Sequence, residues 1–156
     1  MDRRCFLLAV GAAGMSPVLA RAHHGWSGFD TAAPLYLAGT LVSVRWQNPH
    51  AELVLKPASG LALPGDLAQR SLPAQTAPPE LADFLARTRL ATPADAEWTL
   101  ELAPLSRLSA WNVPQLQAGE TVEVIGYRSS RSAGPLMRVE YLFHRGQAYG
   151  LRSAPA

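Results

Sequence analysis

The chain has 156 residues, 48% hydrophobic and 17% charged, with a formal net charge of +2. That length holds one domain and hardly two, and the composition is that of a folded chain, not a disordered one. Residues 1–22 read as a cleavable export signal, and their loss takes Arg3, Arg4 and Arg21 from the 14 basic residues and Asp2 from the 12 acidic ones, which brings the charge from +2 to zero. A neutral mature chain offers no electrostatic case for binding nucleic acid or an anionic membrane.

The signal is legible residue by residue. Arg3 and Arg4 form its charged start, residues 6–15 its apolar stretch, Ser16 and Pro17 a break, and Ala20-Arg21-Ala22 a small-x-small cleavage site. The apolar stretch is shorter than the roughly 20 residues a bilayer span needs, so no anchor is expected after cleavage. Asp2-Arg3-Arg4-Cys5-Phe6-Leu7 resembles a twin-arginine export motif, and an ordinary secretion signal with two arginines is the alternative. Either route predicts a periplasmic protein. Cys5 is the only cysteine and departs with the signal. The mature protein, 23–156, therefore has no disulfide, thiolate metal site or cysteine nucleophile.

Residues 23–34 show no clear period and read as an irregular lead-in. Residues 35–46 form a long strand, with Tyr36, Thr40, Val42, Val44 and Trp46 on one parity and a bend at Gly39. Gln47-Asn48-Pro49-His50 is a turn, and residues 51–56 alternate as the second arm of a hairpin. Residues 58–96 are punctuated by glycine and proline and read as an insertion. Within it, 79–90 is predicted helical from Leu81, Phe84 and Leu85, with Glu80, Asp83 and Arg87 on the other side. Residues 97–102 alternate with Trp98, Leu100 and Leu102 inward. A connector with a short helical turn follows over 105–116, then strands at 121–127 and 136–144, the latter with Met137, Val139, Tyr141 and Phe143 on one face. The tail after Gly146 either adds a short edge strand or trails off. Five strands with a helix after the third predict a mainly β fold, a small OB-like Greek-key barrel in one domain over 23–156. An open barrel or sandwich of another topology is the alternative.

The runs His23-His24-Gly25, Leu37-Ala38-Gly39-Thr40-Leu41 and Val44-Arg45-Trp46-Gln47-Asn48-Pro49-His50 resemble an uncharacterised family of small exported bacterial proteins. Its members start with His-His and carry a Gly-Thr-Val strand and an Asn-Pro-His turn. Trp98-Thr99-Leu100-Glu101-Leu102 and residues 119–127 extend the resemblance over most of 23–143, and the chain departs from the usual member at 58–96. The family is a domain of unknown function. The resemblance implies export and fold, and no activity.

The histidines carry the sharpest chemistry. Cleavage after Ala22 makes His23 the first residue, and its α-amine and imidazole then close a chelate ring on one metal ion, the arrangement called a histidine brace. Nitrogen ligands in tetragonal geometry suit Cu(II), which tops the divalent affinity order. The expected ligands are His23 and His50, then His24 and His144. The competing expectation is a small-molecule or protein-interaction module that binds on the barrel face through Trp26, Trp46 and Trp111. Catalysis finds little support, because neither a nucleophile elbow nor a spaced carboxylate pair is present. An enzyme of unrecognised class is the third alternative. Asp30, Glu52 and Glu140 read as solvated acids on exposed faces, with ligation or acid–base work as the alternative. The ligand, the partner and the oligomeric state are not encoded in any motif.

Overall fold

The computed structural model describes residues 26–75 and 80–153. A 3₁₀ turn at Trp26–Gly28 leads into β1 (Phe29–Arg45), followed by β2 (Glu52–Pro57), helix α1 (Leu81–Arg87), β3 (Arg89–Leu90) and β4 (Trp98–Glu101). Helix α2 (Leu105–Ala110), β5 (Thr121–Ser129), β6 (Leu136–His144) and β7 (Gln147–Gly150) complete the order. The strands β1-β2-β4-β6-β5 close into a ring, because β1 pairs with both β2 and β5. The β4–β6 pairing is parallel and the other ring pairings are antiparallel. With α2 between the third and fourth ring strands, this is the expected OB-like barrel. Two strands lie outside the ring: β3 runs parallel to β1, and β7 is antiparallel to β6.

The length of β1 makes closure possible. Its first part pairs with β5 over residues 29–40 and its second with β2 over 39–45. At Gly39, where the partners change, a Cβ would stand 2.0 Å from the Lys56 carbonyl oxygen. Only glycine allows that approach. The lead-in is shorter than expected from the sequence, since β1 already begins at Phe29.

Two bulges reverse the expected facing. The register of β1 shifts between Leu41 and Ser43, which leaves Val42 out of the ladder and exposed. Leu37 and Leu41 point into the barrel before the bulge, and Val44 and Trp46 pack against the same core after it. Tyr36 thus faces the opposite side from Val44. In β6 the register skips Glu140 between Val139 and Tyr141. Met137, Val139 and Leu142 point inward, and Tyr141 and Phe143 outward. An extra residue on one strand flips all later side chains, which period-2 counting cannot anticipate.

The described residues form two apolar clusters. The first fills the barrel with Leu37, Leu53, Leu55, Trp98, Leu100, Val124 and Met137, and with Leu108, Val113 and Leu116 from the α2 connector. The second lies on the outer face of β1, β5 and β6. There Leu67, Leu72, Phe84 and Leu85 of the 58–96 segment cover Tyr36, Ile125, Tyr127 and Tyr141. Helix α1 is shorter than expected. Thr88 leaves the helical region and its hydroxyl donates back to the Phe84 carbonyl at 2.9 Å, so Arg89 and Leu90 join β1 as a strand.

Candidate functional site

His50 closes the β1–β2 loop, next to a cis Asn48–Pro49 peptide bond. Pairing of β2 with β4 and of β4 with β6 brings Glu101 and Arg138 side by side beneath this loop. Nδ1 of His50 lies 3.5 Å from Glu101 Oε1, and Nε2 lies 3.4 Å from Nη2 of Arg138. Arg138 also forms an ion pair with Glu101. Burial lowers the Arg138 pKa from its ordinary value, and the Glu101 carboxylate opposes that shift.

Arg138 has a second face. Its Cζ stands 5.4 Å from the centre of the Trp26 ring, and Cζ of Arg152 stands 4.8 Å from the same ring. Trp26 also meets Tyr127 edge-on, with centroids 5.9 Å apart. One arginine therefore touches both the loop histidine and the first described residue of the chain.

Glu140 lies behind this stack. The bulge turns it into the outer cluster, where it is fully buried, not solvated on an exposed face as the sequence suggested. Gln75 donates to Oε1 at 3.2 Å, and Arg152 Nη1 stands 3.7 Å from Oε2. Among the described residues Glu140 Oε2 and the Tyr141 hydroxyl are buried without a hydrogen-bond partner. Burial pushes the Glu140 pKa up to about 7, against the pull of Arg152 and Gln75. The Gln75 side-chain Oε1 accepts from the backbone N–H groups of Arg152 and Ser153, and the Glu140 backbone carbonyl accepts from Leu151 N–H. The chain's tail is thereby fastened over the acid. The other two acids lie elsewhere: Asp30 is exposed, and Glu52 pairs with Arg45.

The remaining candidate residues spread over the molecule. His144 ends β6, six residues beyond Arg138, a separation of about 20 Å along a strand. It is buried, with Nε2 3.5 Å from Glu120 Oε1. It lines a separate cleft of about 390 Å³ with Arg70, Glu123 and Phe143. In that cleft Arg70 bonds Glu123 at 2.7 Å and lies over the Phe143 ring at 5.1 Å, while Tyr36 donates to Glu123 at 2.7 Å. Trp46 and Trp111 pack against the barrel core, and Trp111 donates to the Ser153 carbonyl at 2.6 Å. Trp26 packs against the outer cluster. His23 and His24 lie outside the described residues. Among the described residues no three His, Cys, Asp or Glu side chains stand together as a metal site. No described helix is long and apolar enough to cross a membrane.

Sequence reasoning found His50 through its turn and Trp26 through its residue type. It missed Glu101, Arg138, Arg152 and Gln75, because strand pairing and tail folding bring them together from positions 75 to 152. The one available signal was Glu140, an acid within the apolar run 136–143.

No curated protein and no solved structure matches the chain. The matched stretch that does exist holds His23, His24, Trp26, Trp46 and His50, and ends before Glu101 and Arg138. Over residues 12–61 the chain matches the family described as a family of unknown function (DUF6152), which bears out the resemblance to an uncharacterised family.

Proposed function

We propose that this protein is exported, by the twin-arginine route, and works in the periplasm as a copper-binding module. Its ligands are the α-amine and ring of His23 and the ring of His50. The observation that carries this reading is the double contact of Arg138, with the Trp26 ring at 5.4 Å and His50 Nε2 at 3.4 Å. Consecutive Cα atoms are 3.8 Å apart, so the three-residue step from Trp26 to His23 spans at most about 11 Å. That contour bounds how far an amine at His23 lies from Trp26.

The chemistry of the donors agrees. Glu101 beside Nδ1 favours the tautomer with its proton there, which leaves the Nε2 lone pair facing Arg138 Nη2. A carboxylate behind a ligating imidazole both orients the ring and raises its basicity. Arg138 lies against Nε2, so metal entry displaces its Nη2, and the Glu101 ion pair retains the guanidinium. Two imidazoles and an amine form an all-nitrogen set, which suits Cu(II). His144, about 20 Å along β6 from Arg138, cannot share that ion.

The test is a Cu(II) titration of protein that begins at His23 and of the same protein with one residue added in front. The extension is expected to weaken binding at least 100-fold, and His50→Ala to weaken it as well, while His144→Ala leaves it unchanged. Equal affinities for the two starts reject the brace. Mass spectrometry of the exported protein is expected to give a first residue of His23, and a different start removes the chelate.

A second reading, small-molecule binding on the outside of the barrel, is favoured by the cleft at Arg70, whose volume of about 390 Å³ is in the range of small-ligand sites. Chemical-shift changes confined to Phe143 and Ala148 in a fragment screen support it, and their absence counts against it.

A further inference from the structure

We propose that the cleft bounded by residues 66–71 and the β6–β7 turn is a binding site for a neutral saccharide. This rests on the reading of that cleft as a small-molecule site, is independent of copper, and names the class of molecule. Its volume of about 390 Å³ lies in the lower part of the range for small-ligand sites, about 300–1,000 Å³, and suits a mono- or disaccharide.

The floor is a row of side chains across β5, β6 and β7. Glu123 stands opposite Phe143, and Phe143 stands opposite Ala148. Val122 is buried in the barrel, so strand alternation puts Thr121 and Glu123 on the outer face, in the same cleft. Asp66, Arg70 and Ser71 line it from the flanks of a 3₁₀ turn at Leu67–Gln69, and Arg145 lines it from the β6–β7 turn.

The charges in this cleft are answered within the protein. Arg70 Nη1 donates to Glu123 Oε2 at 2.7 Å, and its Nε and Nη2 face the Asp66 carboxylate at 3.4 and 3.5 Å. Arg145 donates to Glu120 through Nη2 at 2.8 Å and keeps its other donors. A charged ligand has to break one of these pairs or stand beside a like charge, and a zwitterion has to compete with both signs. A neutral molecule leaves the pairs in place and uses what they have left over.

The remainder is a set of fixed donors and acceptors. Glu123 Oε2 also accepts from Tyr36, and the described hydrogen bonds leave its Oε1 unused. Nη1 and Nη2 of Arg70 each carry a second proton. Ser71 and Thr121 are exposed and add hydroxyls that both donate and accept. Donors and acceptors side by side match vicinal hydroxyl groups, which also do both. The Phe143 ring and the Ala148 methyl offer the C–H face of a sugar ring an apolar surface.

The experiment follows amide chemical shifts of the metal-free protein during titration with glucose, galactose, N-acetylglucosamine and maltose. Glycine, citrate and putrescine serve as zwitterionic, anionic and cationic probes. At least one saccharide is expected to shift the Ser71, Thr121 and Ala148 amides saturably, with an affinity of about millimolar, and to leave the α2 amides unmoved. Thr121→Val and Arg145→Ala are each expected to weaken that binding about three- to tenfold, the loss of one hydrogen bond, with parent-like thermal melts. Either variant decides the matter if the other fails to fold. Parent-like saccharide binding by the folded variants overturns the assignment to this cleft. Shifts of the same amides with glycine, citrate or putrescine, or with fragments, but with no saccharide overturn the saccharide class and leave the small-molecule reading standing. If none of these compounds moves those amides, both readings fall.

Discussion

The inside of the barrel and the covered face outside it bury similar side chains for different ends. The interior is built from Leu, Val, Met and one tryptophan, gathered from every ring strand and sealed by the α2 connector. The outer cluster has three tyrosines and three partly buried aromatic neighbours, and a buried acid, Glu140, joins it. Aromatic rings with polar ends let that layer hold both apolar cover and hydrogen bonds. The ring of strands needs the first cluster in order to close. The second fastens the 58–96 segment and Trp26 onto the outside of the barrel.

The contrast can be broken at its strongest point first. Trp98 is fully buried inside the barrel, so Trp98→Ala is expected to cost about 3–5 kcal/mol in urea unfolding. Phe84 is just as buried but belongs to the outer layer. Phe84→Ala is expected to cost about 3 kcal/mol and to raise amide exchange in α1 and β3 before exchange in β4. Equal exchange in both regions would show one cooperative core, not two.

The next effect sharpens the contrast through pH. The Glu140 pKa rises from the ordinary 4.5 to about 7, so the folded chain binds this proton more tightly than the unfolded one. Its stabilising contribution is therefore complete below about pH 4.5 and is lost as pH rises through 7. The span of the shift corresponds to at most about 3 kcal/mol. Unfolding followed from pH 5 to pH 8 is expected to show that decline in the parent and a flat profile in Glu140→Gln. Parallel profiles would remove the buried acid from the energetics.

The smallest effect belongs to the surface of the same layer. Arg87 pairs with Asp83 at 2.9 Å within α1, and both are largely exposed. Arg87→Ala is expected to change stability by less than about 1 kcal/mol, with most of any loss due to its bond to the Ala32 carbonyl at 2.6 Å. A loss above 2 kcal/mol would mean that the cover over 58–96 is held by its rim and not by Phe84 and Leu85.

Much of the fold was legible from local pattern. The alternation of Trp98, Leu100 and Leu102, the hairpin around Asn48-Pro49 and the glycine at position 39 gave the strands and their bend. The spacing of Leu81, Phe84 and Leu85 gave a helix within the insertion. The candidate site was legible only at His50 and Trp26. Glu140 was misread because a bulge, invisible to alternation, turned it from the surface into the core. Arg138 and Arg152 carried no signal at all, since a lone arginine in a strand or tail reads the same whether or not an indole lies against it.

The sequence by itself determined that this is a mainly β chain and where its ring strands run. Those properties follow from periodicities of two and 3.6 residues and from the chemistry of single side chains, all local quantities. Only the tertiary structure decided which side of each strand lies inside after Val42 and Glu140. It also decided that residues 26, 50, 101, 138 and 152 meet at one edge of the barrel. The physical reason is that register and closure are properties of paired strands. A bulge costs one residue on one strand, and its consequence appears only in what the partner strand then faces.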